Sequence, residues 1–192
     1  MGPAAYPPLA PMFGNFLRIT YQESRMSDMD YREQPIRWTG DFGKDIPGAS
    51  ELAGAEKQVD LFHANYQSGN AGRLKMGGQM RPGSVVYSDV VVSKPTSAAT
   101  PKLASAFDKR LEVPEITIYQ YTRDGESKPT IAEKWTLSNC YIIDFQPGSV
   151  GGVDNFAIDY KRIMIDTFEV TDDGTLKPTG TRGYDRVTHE AL

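Results

Sequence analysis

Turn-forming residues recur so densely along this chain that they largely decide what it can fold into. Eighteen glycines and thirteen prolines among 192 residues leave mostly short runs, and short runs bounded by turns suit strands better than helices. Val85-Val86-Tyr87-Ser88-Asp89-Val90-Val91-Val92 is the run richest in β-branched residues and reads as a strand. Phe16 to Tyr21 alternates, with Leu17, Ile19 and Tyr21 on one face and Arg18 and Thr20 on the other, which is the pattern of a half-buried strand. Val59 to Ala64, Ile116 to Arg123, Ile131 to Phe145 and Val153 to Val170 continue the series. In the last of these the apolar side runs Phe156, Ile158, Tyr160 and then Ile163, Ile165. That change of parity predicts a bulge near Lys161.

One stretch has a different period. Thr100-Pro101 places a capping residue ahead of a proline at the first helical position, and Leu103, Ala106, Phe107 and Arg110 follow at helical spacing. Leu103 and Phe107 share a face and are expected to pack this helix on the sheets. Lys109 and Arg110 suit the negative end of its dipole, and Pro114 forbids continuation past Val113.

The rest is connection. Pro3, Pro7, Pro8 and Pro11 make residues 1–12 an extended, flexible arm, and residues 13–192 are expected to form one domain able to bury roughly 70% of its unfolded surface. From Glu23 to Lys57 periodicity is lost among Gly, Pro and charge, so 23–57 reads as a long loop. Tyr31, Trp38 and Phe42 within it point either to a binding surface or to rings that tuck back onto the chain's own core.

Charge and chemistry exclude several classes of function. With 21 basic against 25 acidic residues and no long single-sign run, phosphate-backbone binding is not the main task. Cys140 is the lone cysteine; no intrachain disulfide can form, and a buried structural thiol is expected. His63 and His189 fit no metal-ligand or triad spacing. Gly148-Ser149-Val150-Gly151 lacks the glycine two residues before the serine that a nucleophile elbow needs, since Pro147 stands there. Gly69-Asn70-Ala71-Gly72 and Gly77-Gly78 lack the endings of phosphate-binding loops, and Arg32 spoils a calcium loop at Asp28-Met29-Asp30. No enzyme, cofactor or metal is therefore expected. The start of the chain has neither the basic nor the apolar portion of a signal peptide, Tyr6 breaks the myristoylation pattern, and no run approaches membrane-spanning length.

Several segments, taken in order, resemble one known family. Ser88-Asp89-Val90-Val91-Val92-Ser93-Lys94 followed by Ala99-Thr100-Pro101-Lys102-Leu103 is similar to the strand and Ser-Pro-x-Leu helix start of the haemolysin-coregulated protein (Hcp) family, the tube subunit of bacterial type VI secretion. Val113-Pro114-Glu115-Ile116-Thr117-Ile118, Glu133-Lys134-Trp135-Thr136-Leu137, the turn at Gly151-Gly152, Asn155 to Ile163 and Gly183-Tyr184-Asp185 are similar in register. The likeness spans about residues 84–186, and more loosely Phe13 to Thr20. It departs from the family at the longer 23–57 loop and at Pro95-Thr96.

The resemblance implies a compact β-barrel of two packed antiparallel sheets flanked by one α-helix. It implies a homohexameric ring, with rings stacked into a hollow tube that a contractile sheath propels. Sheath, spike and baseplate proteins would be partners, effector proteins would ride in the lumen, and neither nucleic acid nor membrane insertion would be involved. Assembly would take place in the bacterial cytoplasm, and secretion would need no signal peptide. Tyr31, Trp38 and Phe42 would then contact the next ring. A tube protein of a phage-derived contractile injection system and a monomeric ligand-binding β-barrel are the alternatives.

Overall fold

The computed structural model describes residues 36–70, 73–74, 80–81, 85–122, 129–149, 151–171 and 176–192. The arm at 1–12, the expected strand Phe16 to Tyr21, and Tyr31 lie outside them. In chain order the strands are β1 (Ile36–Asp41), β2 (Val59–Leu61), β3 (His63–Asn65), β4 (Ser68–Asn70), β5 (Arg73–Leu74), β6 (Met80–Arg81), β7 (Val85–Tyr87) and β8 (Val90–Pro95). A helix, α1 (Thr100–Asp108), precedes β9 (Glu112–Thr122), β10 (Thr130–Gln146), β11 (Val153–Asp159), β12 (Arg162–Val170), β13 (Leu176–Asp185) and β14 (Glu190–Ala191).

The main ladder runs β14-β13-β12-β10-β11-β8-β3, with β9 on the other edge of β10, β1 beside β9 and β2 beside β1. Every pairing is antiparallel. Two short ladders, β4-β7 and β5-β6, stand apart from it. The molecule is thus mainly β, with antiparallel layers packed on each other and one helix among the described residues.

The layers arise because the long strands turn over. On β10 the buried side is Trp135 and Leu137, then Cys140 and Ile142; Asn139 between them has φ +52°, a left-handed conformation that asparagine tolerates better than most residues. Opposite, Ile158 and Tyr160 give way to Ile163 and Ile165, and on β9 Val113 gives way to Ile116 and Ile118. The parity change expected near Lys161 is therefore real, but it is not a bulge. Pairing runs from Leu137↔Ile163 through Ser138↔Arg162 to Tyr141↔Asp159 and Ile142↔Ile158 without slipping a residue. Facing strands change sides at one level, so the sheet folds over there and its two inner faces meet.

Among the described residues, no hydrogen-bonded closed barrel forms. Residues 59–65 divide their pairing, with β2 on β1 and β3 on β8, and Phe62 between them donates its N–H to Ser93 O at 2.8 Å. The layers are joined there by the covalent chain. Between them lie Phe42, Val90, Val92, Leu103, Ile116, Ile118, Leu137, Phe156, Ile158 and Ile163, all buried.

The expected loop 23–57 needs correction over its described part. Ile36–Asp41 is a strand whose register with β9 runs from Ile36↔Thr122 to Asp41↔Thr117. The chain beyond it packs on the body through Leu52 and Ala55, which bury Tyr121. It also approaches Gln58 so closely at Gly48 that a Cβ there would collide with backbone.

The helix ends earlier than Pro114 would require. Arg110 takes φ +49°, Arg110 N–H bonds Phe107 O at 3.0 Å and Leu111 N–H bonds Ala106 O at 2.9 Å, which together make a Schellman turn. Pro114 instead sits in β9, at a stretch of that strand beyond the reach of β1 and at a position the ladder with β10 skips, between Val113↔Cys140 and Glu115↔Ser138, where a missing N–H is tolerated.

Candidate functional site

The residues expected to mediate contacts fall into different environments. Phe42 is 1% exposed, its ring edge-on to Phe156 at 5.8 Å. A ring in the core of its own subunit is not available to a neighbour, which corrects the expectation of a stacking contact through Phe42. Trp38 lies on β1, half-buried and edge-on to Trp135 at 5.3 Å. Both rings follow the second of the two readings, folding back on the body. Leu103 is fully buried, as expected, but Phe107 is 36% exposed, its ring 6.3 Å from that of Phe145. The stripe that packs is Ala99, Leu103 and Ala106, and Phe107 lies at its margin.

At the start of α1 a charged network takes the place of a cap. Thr100 is not the N-cap; Ala99 is, without a side-chain hydrogen bond. The Thr100 hydroxyl donates instead to Asp154. Lys94 on β8 and Asp154 on β11, directly paired in register, are both fully buried, with Nζ 2.6 Å from Oδ2. Thr96 Oγ1 and the Gly148 N–H each donate to the other carboxylate oxygen at 2.9 Å, and Lys94 also donates to Pro95 O, Ser97 and Thr100. Burial pushes the Lys94 ammonium below its ordinary value against the pull of Asp154. Burial alone would raise the Asp154 carboxyl, but hydrogen bonds from Lys94, Thr100, Gly148 and Thr96 hold it below the ordinary value. The network joins β8, α1 and the turn before β11. It is saturated from within, so its role is structural.

A second cluster lies where β13 meets β7, strands with no backbone pairing between them. Tyr184 stacks on Tyr87 at 4.5 Å, Tyr87 on Tyr66 at 5.7 Å, and Tyr66 meets Trp135 edge-on at 5.1 Å. The Tyr184 hydroxyl donates to Val85 O, and Arg182 bonds the Tyr66 hydroxyl while lying 5.8 Å from its ring centroid. This aromatic seam explains the Gly183-Tyr184-Asp185 run. A Cβ on Gly183 would strike Met164 and Leu192, and Tyr184 closes the seam. Asp185 accepts from Arg162 Nε at 2.6 Å and from the N–H groups of Val187 and Thr188. Chiefly because of Arg162, its carboxyl is held down to about 2.

The remaining titratable candidates are placed apart. His63 is exposed on β3, and His189 lies 3.3 Å from the Tyr184 hydroxyl. Cys140 is buried, and burial pushes its thiol up to about 12. Among the described residues, no group of three or more His, Cys, Asp or Glu is arranged to hold a metal ion. Grooves of 470, 490 and 510 Å3 lie around α1, lined by surface side chains such as Leu111, Lys102 and Tyr141.

Sequence reasoning singled out Lys94 and the Gly183-Tyr184-Asp185 run, but not Asp154, Tyr66 or Tyr87. Their partners are long-range, and nothing local in the sequence announces them.

The family profile described as "Type VI secretion system effector, Hcp" matches residues 36–166. Comparison with curated proteins finds no match. Among solved structures, one described as a type six secretion system protein superposes with a TM-score of 0.72 at 18% identity, covering 82% of this chain and 99% of that one. Hcp1 from Salmonella typhimurium gives 0.65 at 12% identity, covering 83% and 100%, and Hcp1 from E. coli EAEC 042 gives 0.61 at 13%, covering 79% and 98%. At such identities these structures speak for the fold.

Proposed function

Because this chain belongs to the Hcp family of type VI secretion proteins, we propose that it is a subunit of that system's inner tube. Copies close into a hexameric ring, rings stack into a hollow tube, and a contractile sheath drives the tube outward with effector proteins in its lumen. The family match over 36–166, on a fold shared with solved Hcp proteins, is the observation that carries this reading. The role is structural and not enzymatic. Assembly occurs in the bacterial cytoplasm, with spike and baseplate proteins at the tube's ends, and the type VI machine then secretes the protein as it does its family.

A head-to-tail contact that closes a ring covers strand edges that a monomer leaves open, and β13 has such an edge, paired among the described residues by β14 at Tyr184 and Asp185. The contact between rings falls to the β4-β7 arm, where Val86 is 55% exposed, and not to Trp38 and Phe42. Against a monomeric ligand-binding barrel, the space between the layers is filled by side chains.

Light scattering after size exclusion tests the ring: a mass near that of a hexamer is expected, and a clean monomer at micromolar concentration overturns the reading. Val86→Lys is expected to leave the ring intact but abolish tubes in negative-stain micrographs.

A further inference from the structure

The β4-β7 arm shares no backbone pairing with the main sheet among the described residues. At its base Gln67 and Ser88 bond each other, Gln67 N–H to Ser88 Oγ at 2.9 Å and Ser88 N–H to Gln67 O at 2.8 Å. Tyr160 pins that base to the body by donating to Ser88 O at 2.8 Å. Beyond the base, Tyr184 holds β7 through its hydroxyl on Val85 O and its stack on Tyr87. Val85 and Val86 are exposed. A two-stranded ribbon whose β7 strand packs on the core through Tyr87 is marginal in water by itself and belongs to the low-stability part of a fold.

We infer that the arm is hinged at Gln67 and Ser88 and swings off the body as a unit, with Tyr184 as its latch. Undocking breaks the Tyr184 contacts and the Tyr87–Tyr66 stack and leaves the pinned base and the main ladder whole. Resting on the tube reading, this motion is what presents Tyr87 and Tyr184, turned inward while the arm is docked, to a second copy of the chain.

Amide hydrogen exchange on the full-length protein, in whatever assembly it forms, tests the inference. An undocked ribbon frays, so the β7 amides should exchange at least ~100-fold faster than those of Trp135 to Leu137 on β10. Tyr184→Phe keeps the ring but loses the bond to Val85, and should accelerate β7 a further ~5-fold while leaving β10 unchanged. Equal rates for β7 and β10 in the wild type would overturn the hinge, as would equal acceleration of both by Tyr184→Phe. Mass measured on the same samples separates the two readings. A monomer with fast β7 exchange sinks the tube and keeps the hinge, and a hexamer with β7 as slow as β10 does the reverse.

Discussion

Single residues carry the sharpest expectations, and Lys94 with Asp154 comes first. Each member of this buried pair answers the other's charge, so Asp154→Ala should cost about 3–5 kcal/mol in denaturant unfolding by leaving an ammonium unpaired. Replacing both, with Lys94→Met and Asp154→Leu, should restore much of that loss. Asp185 sets a pH window. Its carboxyl titrates at about 2 in the fold, below the roughly 3.9 of an unfolded aspartate. Its contribution is therefore complete above that higher value and is lost as pH falls toward the lower one. Asp185→Asn should flatten the stability-versus-pH curve across that window, and an unchanged slope would refute the assignment. Cys140, buried with its thiol pushed up to about 12, should resist thiol reagents in the native protein and react once it is unfolded.

At the scale of elements, the helix shows what periodicity can and cannot tell. Helical spacing located α1 and its buried Leu103, but it could not distinguish Ala106 from Phe107 as the second packing residue, because both lie on the same side of the cylinder. Leu103→Ala should cost about 2–5 kcal/mol and Phe107→Ala under about 1.5 kcal/mol, its ring being already part-exposed; comparable losses for both would contradict the assigned face. The strands β9 to β12 were legible because alternation or β-branching marks them. β13 was not, since Pro178, Gly180 and Gly183 interrupt it and residues 176–182 are exposed on both faces. β1 was hidden for a related reason. Ile36-Arg37-Trp38-Thr39-Gly40-Asp41 looks like loop composition, and only pairing with β9 and β2 makes it a strand.

At the scale of the molecule, fold class and family were legible in the order of short motifs, while the closure of the fold was not. Whether the layers join by ladder bonds or through the chain at 59–65, and where the tyrosines seat the β4-β7 arm, depends on contacts between residues as distant as Phe62 and Ser93 or Tyr66, Tyr87 and Tyr184. Those contacts leave no local pattern in the chain. The turning-over of β9, β10 and the β11-β12 run at one level has a mechanical consequence. Each of these long strands belongs to both layers, so no plane separates one layer from the other along which they could slip. A push on either layer is carried by covalent backbone into its partner, and the body should bear shear as one piece until it fails all at once.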